Sequence, residues 1–181
     1  MNAIGLVEFN SIARGIAAAD IMVKTAAVEL LAANPICPGK YMALVGGDVA
    51  AVRAAVQAGV EAGGQAVVDD FVLPNVHPAV FPAITASSNV EQLQALGIIE
   101  TFTVASLIVA ADQAAKAAEV ELIEIRLAAG LGGKSYVTMT GDVAAVKAAV
   151  EAGAEKAAAQ GLLIDKVVIP SPAGMLKKAV L

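Results

Sequence analysis

The 181-residue chain has no tryptophan, four phenylalanines, two tyrosines, one histidine and one cysteine. Each shortage excludes something. Six aromatics and 12 Lys+Arg against 17 Asp+Glu leave neither a stacking platform nor a basic patch, so nucleic acid is not expected as a partner. A lone Cys37 excludes an intrachain disulfide and any site that takes two thiolates from one chain. A multi-thiolate site therefore has to be built between subunits. Long apolar runs are missing too: the best, Val104 to Ala111, is closed by Thr103 and Asp112, well short of the roughly 18 residues of a membrane span. Glu8, Asn10, Ser11 and Arg14 interrupt the first fifteen residues where a signal peptide would need an apolar core. The expectation is a cytosolic chain without a membrane partner.

What is abundant is alanine, at 41 positions, so the 58% hydrophobic content is carried largely by methyl groups. The alanines sit in a duplicated text. Gly47 to Gly59 reads GDVAAVRAAVQAG and Gly141 to Gly153 reads GDVAAVKAAVEAG, differing only at Arg53/Lys147 and Gln57/Glu151. Asp20 to Leu30 likewise answers Asp112 to Leu122, and Ile4 to Glu8 answers Leu96 to Glu100. The offset is 92 in the first half of each repeat and 94 in the second. Two residues therefore enter a loop between Leu30 and Gly47 or their counterparts.

Within a repeat the hydrophobic period switches in a fixed order. Ala3 to Phe9 reads as a strand, Ile12 to Val28 as a helix, Leu30 to Ile36 and Tyr41 to Val45 as strands. Asp48 stands where an N-cap opens the Ala-rich helix, and Val67 to Leu73 closes the unit as a strand stopped by Pro74. The second repeat reads as a strand at Leu96 to Phe102 and a helix to about Glu119. Strands at Glu121 to Leu127 and Ser135 to Met139, a helix from Asp142 to about Gln160 and a strand at Leu162 to Ile169 follow. The order is βαββαβ twice, an α+β arrangement. Pro82 to Gln94, with Ser87, Ser88 and Asn89 at its centre, is polar and unpatterned and joins the halves. The reading is a first domain over 1–85, a linker over 86–94 and a second domain over 95–181.

Few residues offer chemistry. Cys37 lies between Pro35 and Pro38-Gly39, in a stiff turn and outside any periodic apolar element. Gly130-Leu131-Gly132-Gly133 lacks the helix start and the GK[ST] spacing of a phosphate loop, and a strand follows it. Lys24 and Lys116 stand four residues after Asp20 and Asp112, the spacing of an exposed helical ion pair. His77, between prolines, reads as a turn residue. One His, one Cys and no clustered acids supply no nucleophile, base and orienting group, so an enzyme is not expected.

The strings carry a resemblance. Gly-x-x-Glu-x-x-Ser at Gly5 to Ser11, AAD-x-M-x-K at Ala18 to Lys24, PGK at Pro38 to Lys40 and the two GDV strings resemble the bacterial microcompartment shell domain. Two copies in one chain resemble its tandem-domain class, and the SIARG, PICPGK, LPNVHP and GGK strings are most similar to the T-type shell proteins of propanediol-utilisation compartments. The resemblance implies two ferredoxin-like domains, a homotrimer with pseudo-hexameric outline, and a tile that joins other shell proteins around a cytosolic organelle. It implies axial pore loops made by Ile36, Cys37, Pro38 and Gly39 and by Gly130, Leu131, Gly132 and Gly133. It implies shell-edge roles for Lys24 and Lys116, and three copies of Cys37 holding one 4Fe-4S cluster per trimer for electron transfer across the shell. Two alternatives stay open: a metabolite pore with bare Cys37, and an effector-binding trimer on the same fold. The family's usual Arg after the last strand is missing, since Pro74-Asn75-Val76-His77 and Pro170-Ser171-Pro172-Ala173 stand there. Lattice contacts of the usual kind are not implied.

Overall fold

A computed structural model describes residues 1–181. Packing divides them into two compact units, Met1–Val76 and His77–Leu181. In the first, β1 (Ala3–Phe9), α1 (Ile12–Thr25), β2 (Glu29–Ile36), β3 (Lys40–Gly47), α2 (Val49–Gly63) and β4 (Val67–Pro74) follow the βαββαβ order. The strands lie as β2-β3-β1-β4, every neighbour antiparallel. This is the split βαβ topology, in which β3 inserts between β1 and β2. Alternation decides which side chains meet the helices: Val7, Phe9, Tyr41, Ala43 and Val45 pack with Ala18, Met22, Val52, Ala55 and Val56. Full burial of Phe9 or Met22 contributes about 1.5–3 kcal/mol each, whereas an alanine adds roughly one methyl group. Gly5 sits where a Cβ would run into Val56 and Val52 of α2. Its lack of a side chain sets how closely the helix approaches the sheet.

The second unit repeats the plan. It contains α3 (Val80–Ile84), β5 (Ala95–Thr101), α4 (Val104–Ala117), β6 (Glu121–Leu127), β7 (Ser135–Gly141), α5 (Val143–Ala159), β8 (Leu163–Ile169) and α6 (Lys177–Val180). Its sheet order is β6-β7-β5-β8, again antiparallel throughout. Gly97, the counterpart of Gly5, faces Val146 and Val150 of α5 at 2.7 and 2.8 Å from a built Cβ. No helix is long and apolar enough to cross a membrane.

Several sequence expectations change. The helix expected to reach Val28 ends at Thr25, because Ala26 turns extended and Val28 packs onto the core of the first unit from outside the helix. The helix expected to reach Glu119 ends at Ala117 for the same reason, with Ala118 extended. Asp48 and Asp142 hold the N-cap position but make no side-chain cap hydrogen bond. Ser11 and Thr103 do: Ser11 Oγ accepts from the Arg14 N–H at 3.4 Å, and Thr103 Oγ1 from the Ser106 N–H at 3.2 Å. Residues 77–85, read with the first domain, lie with the second unit, and α3 occupies part of a stretch read as unpatterned. The cause is tertiary: α3 packs on β6 and α4, with Val80 and Ala83 fully buried.

Candidate functional site: two hairpin tips and two helix edges

The β2–β3 hairpin closes with Ile36 paired to Lys40. Three residues, Cys37, Pro38 and Gly39, make its turn, and Gly39 has φ 70. A three-residue hairpin loop ends on a left-handed residue, which glycine adopts without steric cost. Cys37 is a free thiol, half-buried, with Ile36 buried at its root. The strand registers equate Pro35↔Tyr41 with Leu127↔Ser135, so the two inserted residues of the second repeat fall at the β6–β7 tip. That tip takes four left-handed residues, Ala128, Gly130, Gly132 and Gly133. The Gly130-Leu131-Gly132-Gly133 string is thereby explained as turn chemistry. No thiol occurs in this second tip, and no three His, Cys, Asp or Glu side chains of the chain converge as a metal group.

Sequence reading missed the groups at the roots of both tips. Lys40 Nζ pairs with Glu8 Oε2 at 3.3 Å, and Lys134 Nζ with Glu100 Oε1 at 3.5 Å. The four residues occupy equivalent places in the repeats, which was the available signal: a Glu near the end of each first strand and a Lys closing PGK and GGK. Glu8 is 5% exposed and its carboxylate meets Lys40 there, so the pair ties the end of β1 to the hairpin that carries Cys37. On the second sheet Glu124 gathers Arg126 Nε at 2.8 Å and the Tyr136 hydroxyl at 3.1 Å. Burial and the neighbouring Glu124 charge push the Tyr136 phenol up, and the same carboxylate raises Arg126.

The two lysines expected at the shell edge differ. Lys24 pairs with Asp20 at 2.6 Å and both side chains are exposed, as the spacing predicts. Lys116 pairs with Asp112 at 2.7 Å, but Asp112 is fully buried and also accepts the His77 N–H at 2.8 Å. The expectation of an exposed pair fails in the second unit because residues 77–84 lie over that part of α4. His77 is a locally bonded turn residue: its Nδ1 accepts the Ala79 N–H at 3.3 Å.

Comparison with known proteins adds the following. The BMC domain family matches residues 3–76 and 95–172. The chain is 47% identical over 170 residues to the bacterial microcompartment shell protein PduT of Citrobacter freundii, spanning 94% of this chain and 92% of that protein. It is 43% identical over 86 residues to the shell protein EutM of Salmonella typhimurium, covering 48% of this chain and 88% of EutM. A crystal structure of a microcompartments protein from Desulfitobacterium hafniense DCB superposes with a TM-score of 0.97 at 60% identity, covering 98% of this chain and 99% of the other. The fused permuted hexameric shell protein of the RMM microcompartment shares the fold, with a TM-score of 0.58 at 22% identity over 86% of this chain and 81% of that one.

Proposed function

The chain belongs to the bacterial microcompartment shell family through its two BMC domains, and on that premise we propose that it is a structural tile of the compartment shell, three chains closing around a pore. The observation that carries this reading is the duplication of one βαββαβ unit with matching sheet order in both halves. Two such units per chain and three chains make a near-hexagon, the outline that six single-domain copies would fill. Similarity to PduT and to the single-domain EutM supports assembly with other shell proteins. The residues support a structural role over turnover: the only histidine has its Nδ1 occupied in a turn.

The finer part of the proposal is a 4Fe-4S cluster on the axis, held by Cys37 from each of three chains. The fit rests on the hairpin. A free thiol half-exposed at the tip of a three-residue turn is available to a ligand outside its own chain, and Glu8–Lys40 holds the turn's root. Three thiolates are one short of the usual four, which leaves one iron to water or a small ligand. Such a group supplies one-electron transfer when bound. Absorption spectra with iron and acid-labile sulfide analysis of anaerobically purified, reconstituted protein test this part. A visible charge-transfer band with sulfide supports it; colourless protein without iron overturns it and leaves a plain metabolite pore through the same tile.

A further inference from the structure

A cavity of about 360 Å³ lies in the second unit, between residues 86–90, the outer strand β6 and residues 178–181. Its size falls at the lower end of small-molecule sites. Arg126 and Lys178 bring two cations to its wall, Glu124 is its one acidic side chain, and Val90 and Ile123 add apolar surface.

The polar groups of the wall are only partly used. Glu124 Oε1 accepts from Arg126 Nε at 2.8 Å and lies 2.7 Å from Arg126 Nη2, so the guanidinium gives one edge to that carboxylate and keeps its Nη1 edge free. A free guanidinium edge binds an oxyanion through two parallel N–H bonds. Lys178 is exposed on α6. Ser88 lines the same cavity, and its Oγ is shut off from solvent with no hydrogen-bond partner, an uncommon state for a polar atom. Its present rotamer holds no bond to lose, so turning the hydroxyl to the cavity breaks nothing.

The fold does not demand this chemistry, and the repeat supplies the control. The registers set Glu124 opposite Thr138 and Arg126 opposite Tyr136, while the same places in the first unit hold Ala32 opposite Leu44 and Asn34 opposite Met42. Leu44 and Met42 are fully buried. Where one sheet is apolar, its duplicate carries a carboxylate, a guanidinium, a phenol and the Thr138 hydroxyl, which also lacks a partner. Packing alone does not account for the difference.

We propose that this cavity binds a small organic anion, a carboxylate or phosphate ester on a short carbon chain. Its oxyanion bridges the free edge of Arg126 and the Ser88 hydroxyl, Lys178 supplies the second positive charge, and Val90 and Ile123 cover the carbon chain. Every wall belongs to the second unit of one chain. The inference therefore goes beyond the shell-tile reading and stands without the ring.

Isothermal titration calorimetry of the full chain at low ionic strength, with butyrate, butyl phosphate, inorganic phosphate and 1-butanol as probes, tests it. The expected result is saturable binding of butyrate or butyl phosphate at one site per chain and none of 1-butanol; the tighter of the two names the head group. Arg126→Gln, at a half-exposed side chain, should weaken that binding at least about tenfold and Ser88→Ala about fivefold, the losses of a charged and a neutral hydrogen bond. Both variants should keep the circular dichroism spectrum of the wild type, and Arg53→Gln, on α2 of the first unit, should bind as the wild type does. Folded wild type that binds neither organic anion overturns the proposal. Binding that survives both Arg126→Gln and Ser88→Ala also overturns it, because the ligand then sits elsewhere. Inorganic phosphate binding as tightly as the organic anions overturns the organic class and leaves a site for charge alone.

Discussion

Cys37 stands on a turn where a small polar atom is tolerated, so Cys37→Ser should leave folding intact while removing a soft iron ligand. The expected outcome is loss of bound iron and sulfide with Tm unchanged within about 2 °C, read by metal analysis and calorimetry on the same samples. A hydroxyl forced into a packed apolar site would instead cost on the order of 1 to 3 kcal/mol, so a lower Tm with no iron in the wild type marks Cys37 as core. A second residue-scale test concerns Tyr136, whose phenol is raised by burial and by Glu124. The neutral phenol donates to the carboxylate, and ionisation would set two anions side by side. Its contribution to stability is complete below the ordinary phenol value of about 10 and is lost as pH rises through the higher folded value. Ultraviolet titration should show a late tyrosine step that moves down in Glu124→Gln. Neither the raised phenol nor the Glu8–Lys40 pair is visible from strand spacing, because each depends on which residue the register sets opposite.

Elements in this chain are held by close approach. A Cβ on Gly153 of α5 would stand 2.6 Å from the Ala110 carbonyl oxygen and 2.8 Å from Ile99 Cδ1. Alanine gains about 1 kcal/mol in helix propensity over glycine, but backbone oxygen cannot step aside, and overpacking costs about 1 to 3 kcal/mol. Gly153→Ala should therefore lose up to about 2 kcal/mol, read from the urea midpoint, while Gly174→Ala, with open space around it, stays near neutral. A stabilised Gly153→Ala would show that α4 and α5 can separate freely. The element order was legible because the repeat presents each pattern twice, and β1 and β6 run as read. The short helices α3 and α6 were not. Five and four residues carry no period, and Pro82 interrupts the first.

At the scale of the whole molecule, the two D-x-x-x-K strings look alike in sequence, and only a neighbouring segment makes Asp20 exposed and Asp112 buried. The edge test divides accordingly. Lys24→Asp should weaken side-by-side sheets in electron micrographs and leave the folded chain as stable as before, since its partner is already in water. Lys116→Asp should weaken sheets and also lower stability, because it sets a second carboxylate against a buried one. The cost is on the order of 1 to 3 kcal/mol, below that of a fully buried pair since Lys116 still meets solvent. Sheets unchanged in both variants would remove the lysines from the edge. The central claim joins ring and cluster, and native mass spectrometry of the anaerobically reconstituted protein reads both at once. The account predicts one dominant species of three chains, heavier than the polypeptide by a single 4Fe-4S cluster and returned to the bare polypeptide mass by Cys37→Ser. A single-chain species contradicts the ring; three chains of bare polypeptide mass contradict the cluster.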